Sequence, residues 1–117
     1  MDNRARILSV LQQYWGYKMF RPMQEDIVLS ALAGKDTLAL LPTGGGKSIT
    51  FQVPALAKDG LCIVVSPLIA LMKDQVDQLV KLGIDASFVN SSLGKGEREK
   101  RYSSIRHGKY KILYVSP

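Results

Sequence analysis

Residues 41 to 48, Leu41-Pro42-Thr43-Gly44-Gly45-Gly46-Lys47-Ser48, decide how this chain is read. The apolar run Thr37 to Leu41 precedes the glycines, and a helix-compatible stretch, Lys47 to Gln52, follows them. Three successive glycines lack a Cβ, so the backbone can curl into a concavity whose N–H groups converge on phosphate oxygens. Lys47 adds a mobile positive charge and Ser48 a hydroxyl suited to Mg²⁺, while a helix opening at Lys47 turns its unsatisfied amides toward an anion. Strand, glycine loop and helix in that order read as a phosphate-binding loop for a nucleoside triphosphate with magnesium. The general pattern G-x-x-x-x-G-K-[ST] has glycine where Leu41 stands, so the competing reading is a glycine turn with Lys47 and Ser48 as ordinary surface residues.

The 117 residues suffice for one hydrophobic core but are short for a complete nucleotide-driven motor. The net charge of +6 is concentrated late. Between Lys95 and Lys111, seven basic residues (Lys95, Arg98, Lys100, Arg101, Arg106, Lys109, Lys111) face two acids, Glu97 and Glu99, and the preceding chain is nearly balanced. Such a segment suits a polyanion and equally a solvated helix face. The single cysteine, Cys62, excludes a disulfide within the chain and fits a reducing compartment. No apolar run approaches membrane-spanning length, so the chain is expected to be soluble and cytoplasmic, nucleoid-associated if bacterial, with no membrane partner.

Taken in order, Arg4 to Tyr14 carries Ile7, Leu8, Leu11, Tyr14 and Trp15 at helical spacing, with Asp2 or Asn3 as N-cap and Gly16 as terminator. A second helix is expected from about Pro22 to Ala33 with Met23, Ile27, Ala31 and Leu32 on its apolar face, ended by Gly34. Pro54 is expected to break or kink the helix that begins at Lys47. Leu61 to Ser66 reads as a strand covered on both faces. Ala70 to Leu82 reads as a helix with Leu71, Gln75, Val76, Leu79 and Leu82 toward one side, Ala86 to Val89 as a strand, Lys95 to His107 as a polar helix and Lys111 to Val115 as a last strand. Alternating strands and helices specify an α/β fold, a parallel sheet with helices on both faces and ligands at the C-terminal strand ends.

Two further groups of residues carry chemistry. The amide of Gln24 can donate and accept, matching an adenine edge, Tyr17 offers a ring for stacking and Arg21 a cation; alternatively Tyr17 and Phe20 are core residues and Gln24 a solvated helix residue. Ser66-Pro67 closes a strand just before a helix that carries Lys73, an arrangement that serves either a nucleic-acid phosphate or a plain capping turn. His107 has no partner at metal-ligand spacing, and Trp15 reads as a core anchor.

Together these strings resemble the start of a RecQ-type DNA helicase of superfamily 2. The matching pieces are YWGYKMFRPMQEDIV at 14–28, LLPTGGGKSITFQVPAL at 40–56 and VVSPLIALMKDQVDQL at 64–79, with NSS at 90–92 and YVSP at 114–117. The resemblance implies a RecA-like P-loop NTPase lobe, with residues 1–36 as adenine-recognition helices and 37–117 as the P-loop sheet. It implies an enzyme that couples ATP hydrolysis to 3′-to-5′ unwinding of DNA in repair or recombination, with ATP and Mg²⁺ as cofactors. By this resemblance Tyr17, Arg21 and Gln24 recognise adenine, Thr43, Gly44, Gly45 and Gly46 form the loop, Lys47 and Ser48 act at the β/γ-phosphates and Mg²⁺, and Ser66, Pro67 and Lys73 contact single-stranded DNA.

The family's Asp-Glu-Ala-His box, its later motifs and its second lobe with an arginine finger are not among these 117 residues. Phosphoryl transfer depends on positioning and charge stabilisation from all those parts, so a truncated first lobe is expected to bind ATP without efficient hydrolysis. It is also expected to expose an apolar sheet edge, with marginal stability or self-association as the consequence. A small P-loop phosphotransferase and a non-catalytic nucleic-acid-binding module using the Lys95 to Lys111 patch remain as alternatives, the latter marked by salt dependence without nucleotide dependence.

Overall fold

In this computed structural model, residues 2–41 and 46–117 are described, and they fall into two compact units, 1–59 and 60–117.

The first unit is helical. Helix α1 (Asn3–Val10) starts where Asp2, in extended backbone, accepts a 2.7 Å hydrogen bond from the Ala5 N–H through its carboxylate. Asp2→Ala should cost about 1 kcal/mol, because an orphan helix amide loses its partner. A melt that matches the parent within error would show the cap to be immaterial. The helix continues as a wider π-helical turn, Leu11–Trp15, closed by Gly16 at φ 74°, whose N–H reaches the carbonyls of Leu11 and Gln12, both at 3.1 Å. Helix α2 (Gln24–Leu32) begins two residues later than Pro22 suggested, because Met23 sits at φ 74° and turns the chain before the helix can start. Of the expected face Leu32 is buried, but its companions in the buried stripe are Gln24 and Val28, and Met23 is exposed.

Helix α3 (Lys47–Ala57) contains Pro54 and runs on past it. The expected break does not occur. Pro54 removes one amide, but the turn beyond it buries Ala57, and Val53 just before it is fully buried, so packing offsets the lost bond. Ile7, Leu11, Val28, Leu32, Val53 and Ala57 form the core of this unit, with Trp15, Phe20 and Ile49 packed against it. An Arg6 guanidinium nitrogen donates to the Ala57 carbonyl at the end of α3, where a cation also complements the helix dipole.

Thr37 to Leu41 forms no strand, contrary to expectation. Leu38 and Leu40 are 87% and 77% exposed, and the Thr37 hydroxyl is held by Ser30 (2.7 Å) and by the Lys35 carbonyl (3.0 Å). A strand exists only through ladder partners, and this run pairs with none of the three strands described.

The second unit holds a parallel sheet of β1 (Cys62–Val65), β2 (Ala86–Val89) and β3 (Ile112–Val115) in the order β1-β3-β2. Helix α4 (Ile69–Lys81) connects β1 to β2, and α5 (Lys95–Arg106) connects β2 back to the central β3. The two crossovers travel in opposite directions, so the right-handed rule assigns α4 and α5 to opposite faces, as expected for this fold class. Met72, Val76 and Leu79 of α4, rather than Leu71, are buried, because these three lie three to four residues apart while Leu71 stands half-exposed beside them. On β1 the expectation of two covered faces fails: Ile63 and Val65 are 58% and 63% exposed, alternating with half-buried Cys62 and Val64. A pleated strand loses one face to solvent when nothing packs on it. Burial pushes the Cys62 thiol above its ordinary value, against a smaller opposing pull from Lys111, so it stays a neutral thiol near pH 7.

Candidate nucleotide site and sheet-end face

The first unit brings Tyr17, Arg21, Gln24, Gly46, Lys47 and Ser48 to one cavity of about 520 Å³, a size suited to a small-molecule ligand. Thr43, Gly44 and Gly45 lie outside the described residues. Gly16 ends the first helix in left-handed backbone and delivers Tyr17 to the cavity, half-exposed, while Phe20 turns inward to the core. The two aromatic residues therefore divide the roles that the sequence left open between them. Gln24 is no solvated residue either: it is 3% exposed, at the first position of α2.

Its amide is the joint of the site. Gln24 Oε1 accepts from the Arg21 backbone N–H at 2.8 Å, and Gln24 Nε2 donates to the Gly46 carbonyl at 3.1 Å. The turn carrying Arg21 is thereby tied to the residue that caps α3. Gly46 adopts φ 75°, and a Cβ there would run into Gln24 Nε2, so only glycine permits this approach. Among the described residues no side chain caps the N-terminus of α3, which suits its first amides to an external acceptor. Lys47 is exposed and Ser48 half-buried at that same helix end. Open amides, an ammonium and a hydroxyl around a glycine-only turn fit the phosphates of a nucleotide.

Met19 and Ile49 also line the cavity and were not singled out from the sequence. Their signal was position alone, Met19 between Tyr17 and Arg21, Ile49 directly after Ser48.

In the second unit, Ser66 and Pro67 follow β1 and lead into α4. The Ser66 hydroxyl accepts from the Leu68 N–H at 3.1 Å, and the Pro67 carbonyl accepts from the Ile69 N–H at 3.1 Å, so this segment is built as a turn before the helix. The Lys73 ammonium donates to Asp77 at 2.9 Å, four residues along the exposed face of α4. The hydrogen bond and charge of Asp77 hold Lys73 above the ordinary lysine range, so it is cationic throughout neutral pH. Among the described residues no group of His, Cys, Asp and Glu side chains could hold a metal ion, and no helix is long and apolar enough to cross a membrane.

The profile of the DEAD/DEAH box helicase family matches residues 21–117. The chain is 50% identical over 110 residues to the ATP-dependent DNA helicase RecQ of Haemophilus influenzae, an alignment covering 94% of this chain and 18% of that protein. It is 45% identical over 113 residues to the Bacillus subtilis protein of the same name, covering 96% and 19%. With the Synechocystis one it shares 44% over 117 residues, covering 100% and 24%. The chain thus spans about a fifth of the length of these relatives, which at full length are ATP-dependent DNA helicases.

Proposed function

This chain belongs to the DEAD/DEAH box helicase family as a RecQ-type homologue, and from that premise we propose that it is the ATP-binding part of the first lobe of an ATP-dependent DNA helicase. The observation that carries the reading is the convergence of Gln24, Gly46, Lys47 and Ser48 on one cavity through the Gln24 amide.

Lys47 is suited to neutralise β- and γ-phosphate oxygens, and Ser48 to present its hydroxyl to Mg²⁺. The open amides of α3 add the positive end of the helix dipole. Tyr17 offers its half-exposed ring to a purine, with Met19 and Ile49 as apolar neighbours in the cavity lining. Gln24 reads adenine through the same amide that ties Arg21 to Gly46, so base recognition and loop geometry share one side chain. Bound ATP supplies the phosphoryl group whose transfer drives unwinding in such enzymes.

Ser66, Pro67 and Lys73 are proposed DNA contacts at the C-terminal end of the sheet. Lys73 would exchange Asp77 for a phosphate at small cost, since exposed ion pairs of this kind contribute little. Residues 1–117 contain no Asp-Glu-Ala-His box, so the chain by itself is proposed to bind ATP with negligible turnover.

The test is a thermal melt with ATP or GTP in the presence of Mg²⁺, on the parent and on Lys47→Ala. ATP at a hundred times its dissociation constant should add about 2.7 kcal/mol to the parent's stability, GTP much less, and Lys47→Ala should lose the response. Equal stabilisation by both nucleotides would remove adenine recognition. No stabilisation by either would overturn the reading, and an ATPase rate typical of intact helicases that Lys47→Ala abolishes would remove the negligible turnover alone.

A further inference from the structure

Met23 is the one non-glycine residue at positive φ among the described residues, with φ 74° and ψ −23°. A Cβ in left-handed backbone crowds the following carbonyl oxygen, so such a residue is strained and persists only where its surroundings compel it. Burial does not account for it, since the Met23 side chain is 60% exposed. Nor does contact with the nucleotide cavity, which Met23 does not line. It lines a neighbouring cavity of about 540 Å³ that has Met19 and Arg21 in common with the first.

The compulsion comes from the backbone on either side. The Gln24 N–H donates to the Arg21 carbonyl at 3.1 Å, which closes residues 21–24 into a turn with Pro22 and Met23 at its centre. Met23 has the dihedral angles of the second central residue of a type II turn, a place that favours glycine or asparagine. Pro22 suits types I and II alike, and in type I residue 23 would be right-handed, with the same hydrogen bond and without the strain. That form would carry α2 back to Pro22, the start that the sequence pattern favours. In the left-handed form α2 starts at Gln24, whose amide runs from the Arg21 N–H at 2.8 Å to the Gly46 carbonyl at 3.1 Å. Gln24 is therefore bracketed by two left-handed residues, Met23 directly before it and Gly46, at φ 75°, across from it. Glycine takes this conformation without steric cost, and methionine does not.

We propose that Met23 is a positioning residue of the nucleotide site: its left-handed backbone sets Gln24 between Arg21 and Gly46, and the strain of a methionine there holds nucleotide affinity below what the site can reach. The two turn forms differ by rotation of the peptide plane between Pro22 and Met23, which resets the first turn of α2 and with it the Gln24 side chain. Strain at Met23 keeps part of the population in the relaxed form, and the apparent affinity falls with the fraction that is competent. Nucleotide binding selects the left-handed form. The inference deepens the ATP-binding reading and rests on it.

The experiment is titration calorimetry of the full chain with ATP and Mg²⁺ well below the melting temperature, on the parent, Met23→Gly, Met23→Asn, Met23→Ala and Met23→Val, each first checked by its melting curve. Met23→Gly should tighten ATP binding by about fivefold, because relief of the strain raises the competent fraction. Met23→Asn should act in the same direction by less, since asparagine tolerates left-handed backbone. Met23→Ala keeps the Cβ and removes the rest of the side chain, so it should bind like the parent. Met23→Val, β-branched and least tolerant of this backbone, should bind about tenfold more weakly. In a Gln24→Ala background these differences should vanish, since no amide remains to be positioned. A merely structural Met23 would shift melting temperatures and leave the affinity of the folded chain unchanged. Equal ATP affinities for the parent, Met23→Gly and Met23→Val would overturn the proposal and leave the ATP-binding reading standing. So would differences that persist without Gln24, or a loss in Met23→Ala as large as in Met23→Val, which would make the side chain itself the contact. Absence of ATP binding in the parent and in every variant would remove the ATP-binding reading, and the proposal with it.

Discussion

Gly46→Ala is expected to lower stability by about 2–4 kcal/mol and to abolish the ATP-dependent shift in melting temperature. Two costs combine at this position. A residue with a Cβ held at φ 75° pays about 1–2 kcal/mol for left-handed backbone. The new methyl also occupies the place of Gln24 Nε2, so the amide must withdraw and its bond to the Gly46 carbonyl is lost, at about 1–2 kcal/mol. Gly34 has a similar φ of 80° but open space around its Cβ direction, so Gly34→Ala should show the backbone cost alone and retain the ATP response. The comparison isolates the collision. Equal melting temperatures for the two variants would mean that Gln24 adjusts freely and that the joint described above has no mechanical consequence.

Gln24→Ala is expected to cost about 1–3 kcal/mol without nucleotide, and in addition to remove the preference for ATP over GTP. The first effect follows from two part-buried bonds: the Arg21 N–H and the Gly46 carbonyl each lose the partner that the buried Gln24 amide supplies. The second follows if the same amide reads the base. Gln24→Glu separates them, because a carboxylate still accepts from Arg21 but cannot donate to the Gly46 carbonyl or keep the amide pattern toward adenine. Melting curves and nucleotide titrations on both variants decide the matter. If Gln24→Ala melts like the parent yet loses ATP selectivity, the residue is a reader alone; if stability falls while selectivity persists, it is a brace alone.

Much of the second unit was legible in the residues. Short β-branched runs bounded by proline, glycine or asparagine became strands at nearly the expected bounds, and the alternation of strand and helix required parallel pairing. In the first unit the cap at Asp2 and the stop at Gly16 were equally readable, because capping depends on neighbours within a few residues. Thr37 to Leu41 was misread for the complementary reason. An apolar five-residue run states a capacity to pair, and whether it does so depends on strands far away in the chain. Pro54 does not break α3, because helix propensity is a local cost of about 3 kcal/mol that packing at Val53 and Ala57 can exceed.

The glycines, Lys47 and Ser48 announced phosphate chemistry from order alone, since a glycine turn leading into a helix is local geometry and local charge. The sequence by itself also determined the family, through strings whose spacing no other simple requirement of folding imposes. Only the tertiary structure decided that Gln24 is buried and joined to Gly46, that Tyr17 faces the cavity while Phe20 packs against the core, and that Arg101 clamps α5 to β2. Each of these is a choice between partners separated by many residues or by a single turn of helix, and such choices are made by packing, which a linear pattern of polar and apolar residues does not encode.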